Sequence, residues 1–171
     1  MKNFIYIEDN FFDKKICQNI IEKYKNNTLK GETHTGYDYF FLKNDDMLLE
    51  EINKKLINSI KNYLNLYPEA NLTKNTYTLQ EIRFKHFKPG NFFSKWHSEV
   101  GYNSPNRVLN MMIYLSQHNC GTEFFDSSTI KSEIGRLTIF PSYFTHTHRG
   151  QVCPENKDRY IIGGYFNFVN N

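Results

Sequence analysis

The feature that most constrains the fold is a run of short β-rich segments in the second half of the chain. Residues between these segments are turn formers, with Pro, Gly and Asn in the breaks. The chain also contains 15 Phe and 12 Tyr, which favour a sheet-rich body. Many short strands of this kind predict a β-sandwich or β-barrel. The segments span 77–87, 108–116, 123–125, 136–140 and 160–169.

The first half of the chain carries two amphipathic helical patterns instead. Apolar residues within 12–24 recur at helical spacing, and Asp13 is a typical helix start signal. A second apolar stripe runs through 48–64. Before and between the helices, residues 4–7 suit a short strand and the polar stretch 26–37 suits a loop.

Together these patterns predict one α+β domain. At 171 residues the chain is long enough to bury a core, and it shows no internal repeat, long linker or low-complexity segment. We therefore predict a single domain over residues 1–171, with a helical N-terminal part over 1–75 and a β-rich core over 76–171. The helices should pack outside the β-structure.

Charge and cysteine content bear on partners and compartment. A formal net charge of +3 predicts neither a nucleic-acid partner nor a membrane partner, and no apolar run approaches the roughly 20 residues of a membrane span. The N-terminus becomes charged too early for a signal peptide, so a cytoplasmic protein is expected. Cys17, Cys120 and Cys153 are too few and too widely spaced for a disulfide framework. The sequence leaves the oligomeric state open.

The first chemical signal is the segment Trp96-His97-Ser98-Glu99. In an extended segment, residues two apart point to the same side, so His97 and Glu99 can converge on one metal ion. A further histidine would complete a two-histidine, one-carboxylate site, which leaves open positions and is typical of Fe(II) oxygenases. A solvated surface pair would show the same spacing, so the signal needs support from elsewhere in the chain.

Support comes from two segments near the C-terminus. The apolar segment 135–142 is followed by Thr145-His146-Thr147-His148, and Arg159 later opens another apolar strand. A cation among hydrophobic neighbours is unfavourable without an anionic partner, which the carboxylate of a dicarboxylic acid would supply. Alternatively, Arg159 lies at a strand edge and extends into water.

In order along the chain, these motifs resemble the Fe(II)/2-oxoglutarate oxygenases of the prolyl 4-hydroxylase and lysyl hydroxylase type. The resemblance covers about 79–166 and implies a double-stranded β-helix (jelly-roll) core braced by N-terminal helices. The landmarks are Phe87-Lys88-Pro89-Gly90, Trp96-His97-Ser98-Glu99, Arg107-Val108-Leu109, Tyr114-Leu115-Ser116, Gly121-Thr122-Glu123-Phe124, Gly135-Arg136-Leu137 with Phe140-Pro141-Ser142, the histidine pair, and Arg159-Tyr160.

The resemblance also implies roles for single residues. His97 and Glu99 match the first two iron ligands, Arg159 matches the cation that binds the distal carboxylate of 2-oxoglutarate, and Tyr114 matches a tyrosine that assists it. Two positions depart from the family pattern. Glu99 replaces the more common Asp, and Gly163 stands where relatives often place a Thr or Ser that helps to hold the co-substrate.

The third iron ligand is His148 or His146. Relatives place this ligand about ten residues before the cation; His148 lies eleven residues before Arg159 (159 − 148) and His146 thirteen (159 − 146). The second histidine is also the ligand in the similar lysyl hydroxylase segment, whereas the distance from Pro141 favours His146. We predict that His148 binds the iron, with His146 as the alternative.

The implied function is that of a non-haem iron dioxygenase. With Fe(II), 2-oxoglutarate and dioxygen, such an enzyme couples oxidative decarboxylation of 2-oxoglutarate to hydroxylation of a C–H bond. The substrate class stays open between a prolyl or lysyl residue of a peptide, a free amino acid and another small metabolite. The main alternative is a cupin-type metal-binding β-barrel without 2-oxoglutarate chemistry, although cupins usually carry a His-x-His motif and need no counterpart of Arg159.

Overall fold

Two antiparallel β-sheets, one large and one small, form the body of the protein. A computed structural model describes residues 2–28, 31–34, 36–72 and 76–169. In chain order its elements are β1 (Tyr6–Glu8), α1 (Lys14–Tyr24), β2 (Glu32–His34), β3 (Tyr37–Phe41), α2 (Met47–Leu66), β4 (Thr76–Phe87), β5 (Arg107–Tyr114), β6 (Gly121–Phe124), β7 (Thr129–Lys131), β8 (Arg136–Pro141), β9 (His148–Gly150) and β10 (Arg159–Val169). Short 3-10 helices span Pro68–Asn71 and Phe144–His146.

The seven-stranded sheet has the order β1-β8-β5-β10-β4-β3-β2, and the small sheet has the order β7-β6-β9. One apolar cluster lies between them, because Phe124 and Ile130 of the small sheet pack with Met112, Phe140 and Ile161 of the large one. These paired antiparallel sheets confirm the predicted double-stranded β-helix.

The two helices cover the other face of the large sheet. Side chains alternate along each strand, so Ile161 faces the small sheet whereas Ile162 faces the helices. Ile162 lies opposite both Phe84 and Ile113, which continues the apolar row across the sheet. This row packs against the buried faces of α1 and α2. The predicted packing of helices outside the β-structure is therefore confirmed.

Both helices begin at aspartates. Asp13 accepts a hydrogen bond from the Ile16 backbone amide at 2.8 Å, and Asp46 accepts one from Leu48 at 2.9 Å. Each carboxylate satisfies an amide that the first helical turn leaves unpaired. The start signal predicted at Asp13 is thereby confirmed. Among the described helices, none combines the length and apolarity needed to cross a membrane.

The N-terminal part is less purely helical than its sequence indicates. Residues predicted as a loop contain β2 and the first residue of β3, and the β2–β3 hairpin pairs with β4 at the edge of the large sheet. The strand signal is weak because Asp38 interrupts the aromatic residues, yet Tyr37 and Tyr39 are buried on the inner side. β1 also joins the sheet by pairing with β8.

A disulfide joins Cys120 and Cys153, which the spacing of the three cysteines did not predict. The two positions are 33 residues apart in the chain, but their Cα atoms are 5.0 Å apart. Tertiary folding brings together the start of β6 and the loop before β10. Cys17 is buried and unpaired.

Candidate metal centre and co-substrate cavity

Three ligand-type side chains converge between the two sheets. The ligand atoms of His97, Glu99 and His148 all lie within 4.8 Å of one another. His97 Nε2 is 3.5 Å and His148 Nε2 is 3.6 Å from Glu99 Oε1. Donors that bind one cation at about 2.1 Å are separated by roughly 3–4 Å, so the three side chains fit a shared divalent metal ion.

Backbone pairing brings the two halves of this cluster together. His97 and His148 exchange two backbone hydrogen bonds, of 3.0 and 2.9 Å, in an isolated antiparallel bridge. The Glu99 amide donates to the Ser142 carbonyl at 2.9 Å. The loop that follows β4 is thus joined to β9 and to the end of β8, which places the His-x-Glu pair beside His148.

Hydrogen bonds orient both imidazole rings toward the centre of the cluster. His97 Nδ1 donates to the Lys95 carbonyl and His148 Nδ1 donates to the His146 carbonyl, each at 2.9 Å. A carbonyl can only accept, so Nδ1 of each ring carries a proton and Nε2 of each ring faces Glu99. Outward Nδ1–H bonds of this kind are typical of metal-binding histidines.

Glu99 is held from behind by two donors. The Tyr165 hydroxyl donates to its Oε2 at 2.8 Å, and Asn110 Nδ2 donates to its Oε1 at 3.2 Å. Burial alone would raise the pKa of this carboxyl, but the facing His148 and His97 rings and the nearby Lys85 hold the pKa well below its usual range. Glu99 is therefore an ionised carboxylate in a fixed orientation.

The structure places His146 outside this cluster. Its Nε2 donates to the Asn3 carbonyl at 2.8 Å, and its Nδ1 contacts the Thr145 hydroxyl oxygen at 2.9 Å. Strand alternation would put His146 and His148 on one face, but residues Phe144–His146 form a 3-10 helix and β9 begins only at His148. The helix turns the His146 ring away, so alternation does not apply.

Arg159 lies inside the protein rather than at a water-exposed strand edge. It is 3% exposed, and its guanidinium carbon lies 4.3 Å from the centre of the Phe87 ring. Nη1 contacts Cys120 Sγ at 3.3 Å, Nε has no hydrogen-bond partner, and no described carboxylate pairs with the side chain. Burial lowers the pKa of Arg159 to about 10. Among the described residues, this cation therefore has no counter-ion.

Tyr114 lies fully buried close to Arg159. Its hydroxyl group shares a 2.8 Å hydrogen bond with Thr122 Oγ1. Burial raises the pKa of Tyr114 to about 12, so the phenol keeps its proton. Thr122, to which sequence reasoning gave no role, lines the same cavity as Arg159, and Tyr114 is linked to this cavity by its hydrogen bond to Thr122.

The three ligand-type side chains and Arg159 line one and the same cavity, which has a volume of about 170 Å³. Sequence reasoning gave no role to its other polar residues, which are Tyr37, Arg83, Lys85, Arg107, Thr122 and Tyr165. The alternation of Arg83, Lys85 and Phe87 along β4 was the available signal, since these side chains share one face of the strand.

Two of these polar residues, Arg83 and Arg107, form salt bridges with the same carboxylate. Arg83 and Arg107 both donate to Glu81 Oε2 at 2.5 Å, and Arg107 Nη1 lies 3.6 Å from Glu99 Oε2. Glu81 has a positive φ of 54°, at the point where the pairing of β4 with β10 shifts register. This β-bulge directs the Glu81 carboxylate to both guanidinium groups.

The family model of the 2OG-Fe(II) oxygenase superfamily matches residues 82–167, which are half of the chain and include every site residue named in the sequence analysis. The chain belongs to this superfamily. It is therefore a 2-oxoglutarate- and Fe(II)-dependent dioxygenase of the hydroxylase type, which uses Fe(II), 2-oxoglutarate and dioxygen. Membership decides against the cupin-type alternative. No curated protein matches the chain in sequence.

Solved structures of three prolyl hydroxylases are similar in fold. The viral collagen prolyl hydroxylase of Paramecium Bursaria Chlorella virus-1, in its 2OG complex, superposes with a TM-score of 0.73 at 16% identity, covering 98% of this chain and 97% of that one. For a Pseudomonas putida prolyl-4-hydroxylase the TM-score is 0.73 at 14% identity, with 99% and 95% covered. A Trichoplax adhaerens prolyl hydroxylase, in complex with a hypoxia inducible factor oxygen degradation domain peptide fragment, gives 0.71 at 15% identity, with 97% and 84% covered.

Proposed function

We propose that His97, Glu99 and His148 bind the Fe(II) of this dioxygenase and that Arg159 binds the distal carboxylate of 2-oxoglutarate. The observation that carries the proposal is the buried, unpaired Arg159 in the same cavity as the three metal-ligand side chains. A dicarboxylate that extends from the metal to this guanidinium would supply the missing counter-charge.

Each side chain contributes in a way that follows from its contacts. Glu99 supplies a negative charge to the metal, and its bonds from Tyr165 and Asn110 keep the carboxylate in place. Arg159 and the Tyr114–Thr122 pair would orient the co-substrate at the other end of the cavity. Bound Fe(II) and 2-oxoglutarate supply the oxidising chemistry, in which decarboxylation to succinate is coupled to hydroxylation of a C–H bond.

The substrate is a peptide or a small molecule. Within that range we propose a prolyl or lysyl residue, a free amino acid or another small metabolite as the target of hydroxylation. We also propose that residues 1–171 act as one domain in the cytoplasm. Support for one domain comes from the shared apolar cluster, to which Ile52 of α2 and Ile162 of β10 both contribute.

Anaerobic titration tests the assignment directly. Purified protein receives Fe(II) and then 2-oxoglutarate, and the metal-to-ligand charge-transfer absorption band is recorded. We expect a band for the native protein, no iron binding for His148→Ala, and retained iron with partly lowered activity for His146→Ala. Loss of iron in His146→Ala together with retention in His148→Ala would reverse the assignment of the third ligand.

A further inference from the structure

We propose that the Lys85 amine forms a second anion-binding subsite in the cavity and pairs with a free carboxylate of the primary substrate. The substrate would then be a small carboxylic acid, such as a free amino acid, rather than a residue within a peptide. This inference rests on the proposed function, because it takes Arg159 as the partner of 2-oxoglutarate.

Lys85 points into the cavity from β4, where the nearby Glu99 carboxylate acts on its charge without forming a salt bridge to it. It lines the same cavity as Glu99 and His148. No described residue gives its amine a hydrogen bond or a salt bridge, and Nζ lies over the Tyr37 ring at 5.3 Å from the ring centre. An amine placed this way is available to an anionic ligand.

The missing side chain of Gly163 makes room for this amine. A Cβ atom built on Gly163 would lie 3.1 Å from both Cε and Nζ of Lys85, closer than ordinary van der Waals contact. The absence of a side chain at Gly163 therefore leaves the space that the Lys85 amine occupies.

The charges around the cavity favour an anionic substrate. Arg83, Lys85, Arg107 and Arg159 line the cavity, whereas Glu99 and the adjoining Glu81 are the carboxylates in contact with this group. Fe(II) and the 2-oxoglutarate dianion cancel each other. The loaded site thus keeps two positive charges from four cations and two carboxylates, and a substrate carboxylate would reduce this excess.

Lys85 differs from Arg83 and Arg107 in forming no salt bridge with a described residue. Arg83 and Arg107 share Glu81, and their guanidinium carbons lie 5.7 and 3.8 Å from the centre of the Tyr165 ring. These contacts hold both side chains in place. With Arg159 assigned to 2-oxoglutarate, Lys85 is the cation of these four that is left to meet the substrate.

The position of Lys85 along the sheet separates it from the co-substrate cation. Lys85 lies opposite Ile161 on β10, two residues beyond Arg159, which corresponds to about 7 Å along the strand. This displacement is toward Tyr165 and the metal ligand Glu99. The distal carboxylate at Arg159 and a substrate carboxylate at Lys85 can therefore be bound at the same time.

The test uses the twenty L-amino acids and their α-carboxamides as probes. Each is added to anaerobic protein that contains Fe(II) and 2-oxoglutarate, and both the charge-transfer band and succinate formation in air are measured. We expect at least one free amino acid to shift the band and stimulate succinate formation, with its carboxamide at least ten-fold weaker. Lys85→Met should abolish this preference for the free acid over the carboxamide, whereas Lys85→Arg should retain part of the preference.

Matched variants distinguish the loss of the Lys85 amine from the loss of any positive charge in this part of the sheet. Lys88→Met removes a largely exposed lysine just after the same strand and should keep the preference for the acid. Gly163→Ala places a methyl group against the Lys85 amine and should weaken the preference for the acid. The dissociation constant of 2-oxoglutarate should change less than three-fold in Lys85→Met.

Several results would overturn the inference. These are an equal response to acids and carboxamides, no response to any free acid, or a preference that survives in Lys85→Met. A ten-fold weaker affinity for 2-oxoglutarate in Lys85→Met would instead assign the amine to the co-substrate. If the native protein formed no charge-transfer band, the proposed function itself would fail, which is a separate outcome.

Discussion

The two ends of the cavity differ in how completely the protein satisfies its own side chains. At the metal end, Glu99 accepts hydrogen bonds from Tyr165 and Asn110, and both histidine rings donate to backbone carbonyls. At the opposite end, Arg159 is buried beside Phe87 and Cys120, without a described carboxylate partner and with its Nε unsatisfied.

The metal end is therefore pre-organised by the protein, whereas the Arg159 end should gain its counter-charge only from a bound ligand. The proposed metal ligands are held in position by neighbouring residues, so little reorganisation should accompany metal binding. No described carboxylate compensates the charge of Arg159, which should lower stability until an anion binds. A change at the metal end should therefore affect iron affinity, and a change at Arg159 should affect co-substrate affinity and stability in opposite directions.

The largest expected effect comes from removing the carboxylate at the metal end. Glu99→Ala should lower iron affinity by at least about 100-fold and abolish uncoupled succinate production, because only two neutral imidazoles remain. Glu99→Asp keeps a carboxylate at shorter reach and should retain part of the iron binding. Iron titration and succinate assays measure both effects. Normal turnover of 2-oxoglutarate by Glu99→Ala would contradict the proposed ligand set.

The next largest effect is expected from replacing Arg159, at the opposite end of the cavity. Arg159→Met should weaken 2-oxoglutarate binding by about 100-fold, since a bidentate, charge-assisted contact contributes about 3 kcal/mol. Iron affinity should change little. The ligand-free variant should also be more stable than the native protein, by about 1–2 kcal/mol, because a buried unpaired charge is removed.

Calorimetric titration of 2-oxoglutarate and urea unfolding measure these two quantities. Arg136→Met is the matched control, because Arg136 pairs with Asp9 near the surface and should leave 2-oxoglutarate affinity unchanged. Unchanged 2-oxoglutarate affinity in Arg159→Met would show that this guanidinium does not bind the co-substrate, and the proposed difference between the two ends of the cavity would be wrong.

A smaller effect should follow from loosening the metal end without removing a ligand. Tyr165→Phe deletes the hydroxyl that donates to Glu99 and should lower iron affinity by about 10-fold. Tyr160→Phe serves as the control, because that ring stacks on His86, on the face of the sheet that packs against the helices. Equal iron affinities for the two variants would show that Glu99 needs no such support.

The sequence predicted much of the fold and half of the site from local patterns. Amphipathic spacing and Asp13 located the first helix, and short turn-bounded segments located most strands. The i, i+2 spacing of His97 and Glu99 and the position of Arg159 before an apolar strand singled out both ends of the cavity. Each of these signals depends on residues that are close in the chain, which is why the sequence displays them.

Only the tertiary structure decided the features that depend on distant residues. Alternation could not choose between His146 and His148, because the choice depends on a 3-10 helix and on backbone pairing with the distant His97. The Cys120–Cys153 disulfide and the room that Gly163 leaves for Lys85 also join positions far apart in sequence. By itself, the sequence singled out His97, Glu99, the histidine pair and Arg159 as candidates for the chemistry. Their distances, orientations and unsatisfied charges arise only when the sheets pack together.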